Sequence, residues 1–152
     1  MGVRILNLGA GNRPLKGAVN HDRIKHRLEI DMVHDLNVLP WPWKANSLDQ
    51  IVARSVFEHL DLDLVQVMDE CWRILRSGGR LDVKVPHWQH DNAYADPTHR
   101  WRYSLRSFDV FLPDTALGKE HSFYTARKWQ LLKGPKLNGA KSSLFITLRP
   151  VK

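Results

Sequence analysis

The chain has 152 residues, 43% hydrophobic and 26% charged. It is long enough for one domain with its own core, read as 1–152, and no apolar run nears the ~20 residues of a membrane span. The single cysteine, Cys71, excludes an internal disulfide and fits a reducing, cytoplasmic setting, while the net charge of +7 suits an acidic partner such as nucleic acid, or solubility alone. The start, MGVRIL, lacks signal-peptide architecture, and Leu6 stands where a myristoylation signal wants Ser or Thr.

The first predicted strand, Arg4 to Leu8, runs into Gly9-Ala10-Gly11. Pro14 then stands where a dinucleotide fingerprint wants its third glycine. A second strand, Val19 to Asp22, follows too soon for a crossover helix. Further strands are expected at Glu29 to Val33, Leu48 to Arg54 and Arg80 to Val85. Several are continuous apolar runs, as in a parallel sheet buried on both faces. Leu64, Val67, Met68, Cys71, Trp72 and Leu75 recur at helical spacing, with Asp61 or Asp63 as cap and Gly78-Gly79 as stop. A shorter helix is expected over Leu105 to Phe111, between Ser104 and Pro113. Two last strands, Phe123 to Leu132 and Ser143 to Arg149, joined by GPKLNG, predict an antiparallel pair closing the sheet.

A pyrophosphate needs a helix N-terminus behind the glycine turn. With almost no helix there, a nucleoside cofactor without phosphate loses less. It still needs glycines for close backbone approach, and a carboxylate to accept hydrogen bonds from a ribose diol, a role that suits Asp22. A nicotinamide dinucleotide is disfavoured, since its acidic residue belongs about 20 residues beyond the glycines.

The segments LNLGAGNRP, VNHD, DMVHDLNVLPWPWKANSLDQIVARSVFEHL, ILRSGGRLDVKVPH and DPTHRWRYS, in that order, resemble the small class I methyltransferases that use S-adenosylmethionine (SAM), closest to their type-11-like group. The resemblance covers most of residues 4–112 and implies an α/β, Rossmann-like sheet in a minimal version lacking the early crossover helices, ending in an antiparallel hairpin. It implies that Gly9, Ala10, Gly11 and Asn12 form the loop against the methionine part and ribose. Asp22 would hold the ribose hydroxyls, and Asp35 and Leu36 would meet adenine. Arg54 and Ser55 would line the methionine side, with Val56 behind. Asn7, where the family often has an acid, and Ser77, where it usually has proline, depart from the pattern.

The segment PHWQHDNAYADPTHRWRYS follows the fifth strand, at the sheet edge where α/β folds bind ligands. Methyl transfer from a sulfonium is an in-line displacement that, for many acceptors, also needs a base. His87 and His99 are the first candidates and His59 the next. Two other readings stand beside this one. Asp96, Thr98 and His99 can simply pin a loop. His87 and His90 can share an ion with an aspartate, although no tight ligand motif supports it and no metal centre is expected. The interleaved aromatics and arginines allow RNA or DNA as acceptor. DPTH is not the Asp-Pro-Pro-aromatic motif of DNA amino-methyltransferases, which follows the fourth strand.

Short early connections leave one sheet face poorly covered. That leaves apolar surface a monomer rarely exposes, so a homodimer packing this face against its twin is expected; alternatively Trp41, Trp43 and the linking loops fold over it. The reading from another class is a basic nucleic-acid-binding module that keeps this fold without catalysis.

Overall fold

The computed structural model describes residues 2–152. Seven strands form one sheet: β1 (Ile5–Leu8), β2 (Ala18–Asp22), β3 (Met32–Val33), β4 (Leu48–Arg54), β5 (Leu75–Pro86), β6 (Trp129–Leu137) and β7 (Ser143–Pro150). Their order is β3-β2-β1-β4-β5-β7-β6. The first five are parallel, and β7 runs antiparallel between β5 and β6. The expected Rossmann-like sheet with a reversed C-terminal hairpin is therefore present.

A single long helix, α1 (Leu64–Ile74), crosses from β4 to β5. Asp63 caps it: its carboxylate accepts from Gln66 N while the Gln66 side chain accepts from Asp63 N. Val67, Met68, Cys71 and Ile74 are buried against Leu6, Leu8, Ile51, Ala53, Leu81 and Val83 of the sheet. Each such aliphatic side chain contributes about 1.5–3 kcal/mol by leaving water.

Helix α1 does not run to the glycines. Leu75 is already extended and pairs with Leu48, and the register then shifts before Gln50 meets Arg80. Gly78 takes φ +77° inside this bulge, and a Cβ on Gly79 would lie 3.0 Å from Arg76 O and 3.1 Å from Asp49 O. The glycine pair serves the bulge rather than a helix stop. Three more expectations need correcting. Leu105 to Phe111 is a run of turns ending in a 3-10 turn, Asp109–Phe111, not a helix. A five-residue helix, α2 (Ala116–Glu120), was not expected. Strand β6 starts at Trp129 rather than Phe123 and runs on through Pro135 to Leu137.

A crossover helix between β1 and β2 is absent, as predicted. A polar pin takes its place: Asn7 Nδ2 donates to Asn20 Oδ1 at 2.9 Å and to Arg13 O at 3.1 Å. Asn20 also accepts from Leu15 N and donates to Leu15 O. Both asparagines are buried, and their paired amides satisfy the connector's backbone without a helix.

One sheet face is open, and it is mixed rather than wholly apolar. Across β4, β5 and β7 it presents Gln50, Arg54, Arg80, Asp82, Lys84 and Thr147 together with Val52 and Phe145. Asp82 accepts from Gln50 Nε2 at 2.7 Å and from Thr147 Oγ1 at 2.8 Å, and pairs with Arg80. Trp41 and Trp43 do not cover that face. They are buried on the α1 side, where Glu70 accepts from Trp41 N and Arg73 donates to the carbonyls of Trp41 and Trp43. The strand period of two, with polar residues at alternate positions, keeps the open face compatible with water.

Candidate functional site

The carboxyl ends of β1, β2 and β4 open into a cleft of about 230 Å³ lined by Gly9, His21, Asp22, Arg23, His34, Asp35, Leu36, Asn37, Ser55, Val56, His59 and Leu60. Two of its positions carry special backbone. Gly9 has φ +56°, and a Cβ there would lie 2.6 Å from Val56 Cγ2, so both conformation and space require glycine. Ser55 has φ +58°, uncommon for a residue with a side chain. It is held there by its N–H to Lys84 O at 2.8 Å and by Lys84 Nζ donating to Ser55 Oγ at 3.0 Å.

Asp22 caps the turn from the far side. One oxygen accepts from Gly11 N at 2.8 Å and the other from Arg23 N at 2.7 Å. An ionised carboxylate offers about four lone-pair sites, so each oxygen keeps one for a diol. Beside it His21 is fully buried. Nδ1 accepts from Gly9 N, and Nε2 donates to His34 O at 2.9 Å. Both ring nitrogens are used by a neutral imidazole, and burial, the largest influence, lowers its pKa. This histidine ties the glycine turn to the loop after β3. Asp35 lies in that loop, with one oxygen accepting from Asn37 N and the other 3.7 Å from Arg23 Nε. Leu36 is buried, and its carbonyl accepts from Trp41 Nε1 at 2.8 Å, which joins the cleft to the Glu70–Arg73 pair.

The second wall begins with the 3-10 turn Phe57–His59. Glu58 O accepts from Arg100 N at 2.7 Å and Leu60 O from Trp101 Nε1 at 2.8 Å, and Arg100 pairs with Asp61. The segment after β5 is thus stitched onto the end of β4. Its histidine meets the turn's: the rings of His59 and His99 are 4.7 Å apart, centre to centre. His59 Nδ1 is 2.8 Å from Thr98 Oγ1, whose own hydroxyl proton goes to Asp96 at 2.7 Å, so the imidazole donates. His99 Nδ1 is 3.3 Å from Ala93 O, an acceptor only. His59 is therefore protonated at Nδ1 and carries a lone pair at Nε2, while His99 has Ala93 O beside Nδ1 and the Asp96 carboxylate 3.9 Å from Nε2. Burial, then the neighbouring His99, lowers the pKa of His59. Glu58 is fully buried, neither carboxylate oxygen has a hydrogen-bond partner, and burial pushes its pKa up to about 7.

Of the residues expected at the site, Gly9, Asp22, Asp35, Leu36, Ser55 and His59 line the cleft. Ala10 and Gly11 support the turn from behind: Ala10 N donates to His21 O and Gly11 N to Asp22. Asn12 is exposed outside it. Arg54 is a correction. With Gln50 and Val52 it points to the open sheet face, because alternate residues of a strand share a face. His87 is buried at the end of β5, off the cleft, with its Nδ1 unpartnered. His90 Nδ1 accepts from Asn92 N, and the ion-sharing pair imagined for His87 and His90 is not the cluster that forms. Sequence reasoning missed His21, His34, Arg23 and Asn37 at the cleft, and Glu58 beneath it. Only Glu58 carried a signal, as a carboxylate directly after the apolar pair Val56-Phe57 in SVFEHL.

Residues 15–83 match the family model described as a methyltransferase domain. Solved structures share the fold over nearly the whole chain. A chain from the complex of the Haloferax volcanii Trm112 methyltransferase activator with a methyltransferase aligns with TM-score 0.69 and 13% identity, covering 97% of this chain and 82% of that one. A SAM-dependent methyltransferase from Archaeoglobus fulgidus aligns with TM-score 0.61 and 12% identity, over 97% and 86%. The [4+2]-cyclase SpnF aligns with TM-score 0.63 and 13% identity, over 97% and 74%. No curated protein matches the chain in sequence. The fold is that of the class I methyltransferases, and the methyltransferase-domain match with this fold implies S-adenosylmethionine as the cofactor. The cyclase carries another name on the same fold, so the acceptor chemistry has to be argued from the site.

Proposed function

We propose that this chain transfers the methyl group of S-adenosylmethionine to an acceptor that enters beside His59. The observation that carries this reading is the pairing of Gly9, where a Cβ has no room, with an Asp22 carboxylate that keeps free lone pairs on the same cleft. In this reading Asp22 accepts from the ribose hydroxyls, and Asp35 and Leu36 meet adenine. Gly9 and Ser55 give the methionine end its close backbone approach. The cofactor brings an electrophilic methyl; the protein orients it and excludes water. His59 and His99, rather than His87, stand at the acceptor edge with lone pairs able to take a proton.

A nucleic acid suits the rim beyond them. Trp88, Tyr94 and Trp101 are exposed, Arg102 stacks on Tyr94 at 4.7 Å, and Arg100 lies alongside. The buried, unpaired Cys71 fits a reducing, cytoplasmic setting, and among the described residues no helix is long and apolar enough to cross a membrane. With polar groups over much of the open face, the homodimer expected from the sequence has a weaker physical motive. Light scattering at high concentration is expected to give the mass of one chain.

Calorimetry with S-adenosylmethionine and its demethylated product tests the cofactor. Labelled-methyl transfer into RNA, DNA, protein and small-molecule pools then tests the acceptor. Binding of neither compound would sink the proposal and leave a nucleic-acid-binding module on this fold. Binding without transfer to any pool would leave a cofactor-binding protein of another activity.

A further inference from the structure

We infer that Glu58, His59 and His99 form a binding site for a divalent transition-metal ion at the acceptor edge of the cleft. One ligand atom from each of the three lies within 4.8 Å of the others. The clustering is joined by independent observations. The Glu58 side chain is fully buried, and both of its oxygens lack any hydrogen-bond partner, a costly arrangement in a protein interior unless a cation compensates it. Each histidine can spend its Nδ1–H on an oxygen acceptor, Thr98 Oγ1 or Ala93 O, which leaves Nε2 as the donor atom; at His99 that atom lies 3.9 Å from Asp96 Oδ2, a further carboxylate beside the cluster. Behind His59 the chain of bonds continues from Thr98 to Asp96, a carboxylate–hydroxyl–imidazole relay of the kind that orients metal-bound histidines. A role as proton acceptor and a role as ligand exclude each other at one lone pair, and the unpartnered carboxylate beside the two rings favours the second.

The ligand chemistry narrows the ion. Two imidazoles and one carboxylate suit zinc, manganese, iron or cobalt in the divalent state, and suit magnesium or calcium poorly. Bonds of about 2.1 Å would draw the three side chains slightly inward. Three protein ligands leave further coordination positions open. His59 also lines the cleft, so those positions face the space where the acceptor is proposed to enter. The ion would then hold an acceptor oxygen there. This last clause rests on the methyl-transfer reading; the ion site itself does not.

The experiment uses the full chain, stripped with chelator and titrated with Mn²⁺, Co²⁺ or Zn²⁺ alone. Equilibrium dialysis is expected to give one ion per chain. Co²⁺ should show visible absorption bands that the His59→Ala, His99→Ala double variant lacks. Thr98→Val should weaken binding by about 10–100-fold, the cost of removing an outer partner, and removal of a ligand should weaken it more. Circular dichroism and a thermal melt confirm that each variant is folded, and Thr98→Val serves as the gentler test if the double variant unfolds. Two results overturn the site: no stoichiometric ion on the wild-type chain with any of the three metals, or an unchanged affinity in the variants. Calorimetry with S-adenosylmethionine on the same metal-free protein keeps the two ideas separate. An ion without cofactor binding removes the methyl-transfer reading and leaves the site. Cofactor binding without an ion does the reverse.

Discussion

The cleft has two walls built on different terms. On the cofactor wall the polar groups are matched inside the protein, apart from the buried indole N–H of Trp43. Asn7 pairs with Asn20, His21 uses both nitrogens, Asp22 holds two backbone N–H groups, and Leu36 is tied through Trp41 to Glu70 and Arg73. On the acceptor wall Glu58 is buried and neither of its carboxylate oxygens has a partner. A satisfied polar network stabilises a fold and fixes its geometry, whereas an unsatisfied one costs stability and persists where function needs it. The comparison predicts opposite signs: substitutions in the first wall should loosen the protein, and an apolar substitution in the second should tighten it.

The largest effect is expected at Gly9. Gly9→Ala imposes left-handed strain and a contact with Val56, together costing about 2–4 kcal/mol. Urea denaturation reads this cost, and cofactor binding should be lost in parallel. Adding Val56→Ala removes the contact but not the strain, so the double variant should recover stability only in part. Full recovery would mean that the φ of +56° carries no cost.

Glu70→Ala comes next. It strips the partner from Arg73 and from Trp41 N, and should cost about 2–3 kcal/mol at neutral pH. Burial pushes the Glu70 carboxyl up, but its bonds to Arg73 and Trp41 outweigh that and hold its pKa below the ordinary value of 4.5. A folded value below the unfolded one means that the contribution is complete above about pH 4.5 and is lost as the pH falls through the folded value. The gap between wild type and variant should therefore narrow in acid. A gap independent of pH would assign the loss to packing alone.

Much of the cofactor wall was legible in the sequence, because tight turns and strand ends advertise themselves. Gly9 and Asp22, read from the turn and the strand end, and Asp35 and Ser55, implied by the family resemblance, line one cleft. What was hidden is what depends on contacts distant along the chain. Nothing in the sequence said that Asn7 would meet Asn20 in place of a helix. Nothing marked Arg54, one residue before Ser55, as belonging to the opposite face. The glycine pair at 78–79 reads as a helix end because helix ends favour glycine, yet a bulge favours it for the same conformational reason. On the acceptor wall the sequence put His87 and His99 first and His59 next, with no view of their contacts. The stitching of residues 100 and 101 onto Glu58 and Leu60 is what brings His99 against His59.

Glu58→Met gives the reverse sign. It replaces an unpartnered buried carboxyl with an apolar chain of similar length, and should stabilise the metal-free protein by about 1–2 kcal/mol while abolishing ion binding. The thermal melt and the Co²⁺ spectrum check both halves. Destabilisation above 1 kcal/mol would show that Glu58 has a partner in solution and would dissolve the contrast between the walls.

The smallest effect tests the first wall where it is least enclosed. Arg23 and Asp35 face each other across its rim at 3.7 Å, and the Arg23 side chain is 75% exposed. An exposed pair at that distance gains little in water and loses side-chain freedom, so Arg23→Ala should shift stability by less than about 0.5 kcal/mol in either direction. Its effect on the melt should not change between low and high salt. If Arg23→Ala instead costs as much as Glu70→Ala, the rigidity of the cofactor wall comes from its charged rim rather than its buried bonds. His21 and the asparagine pair would then lose the part assigned to them.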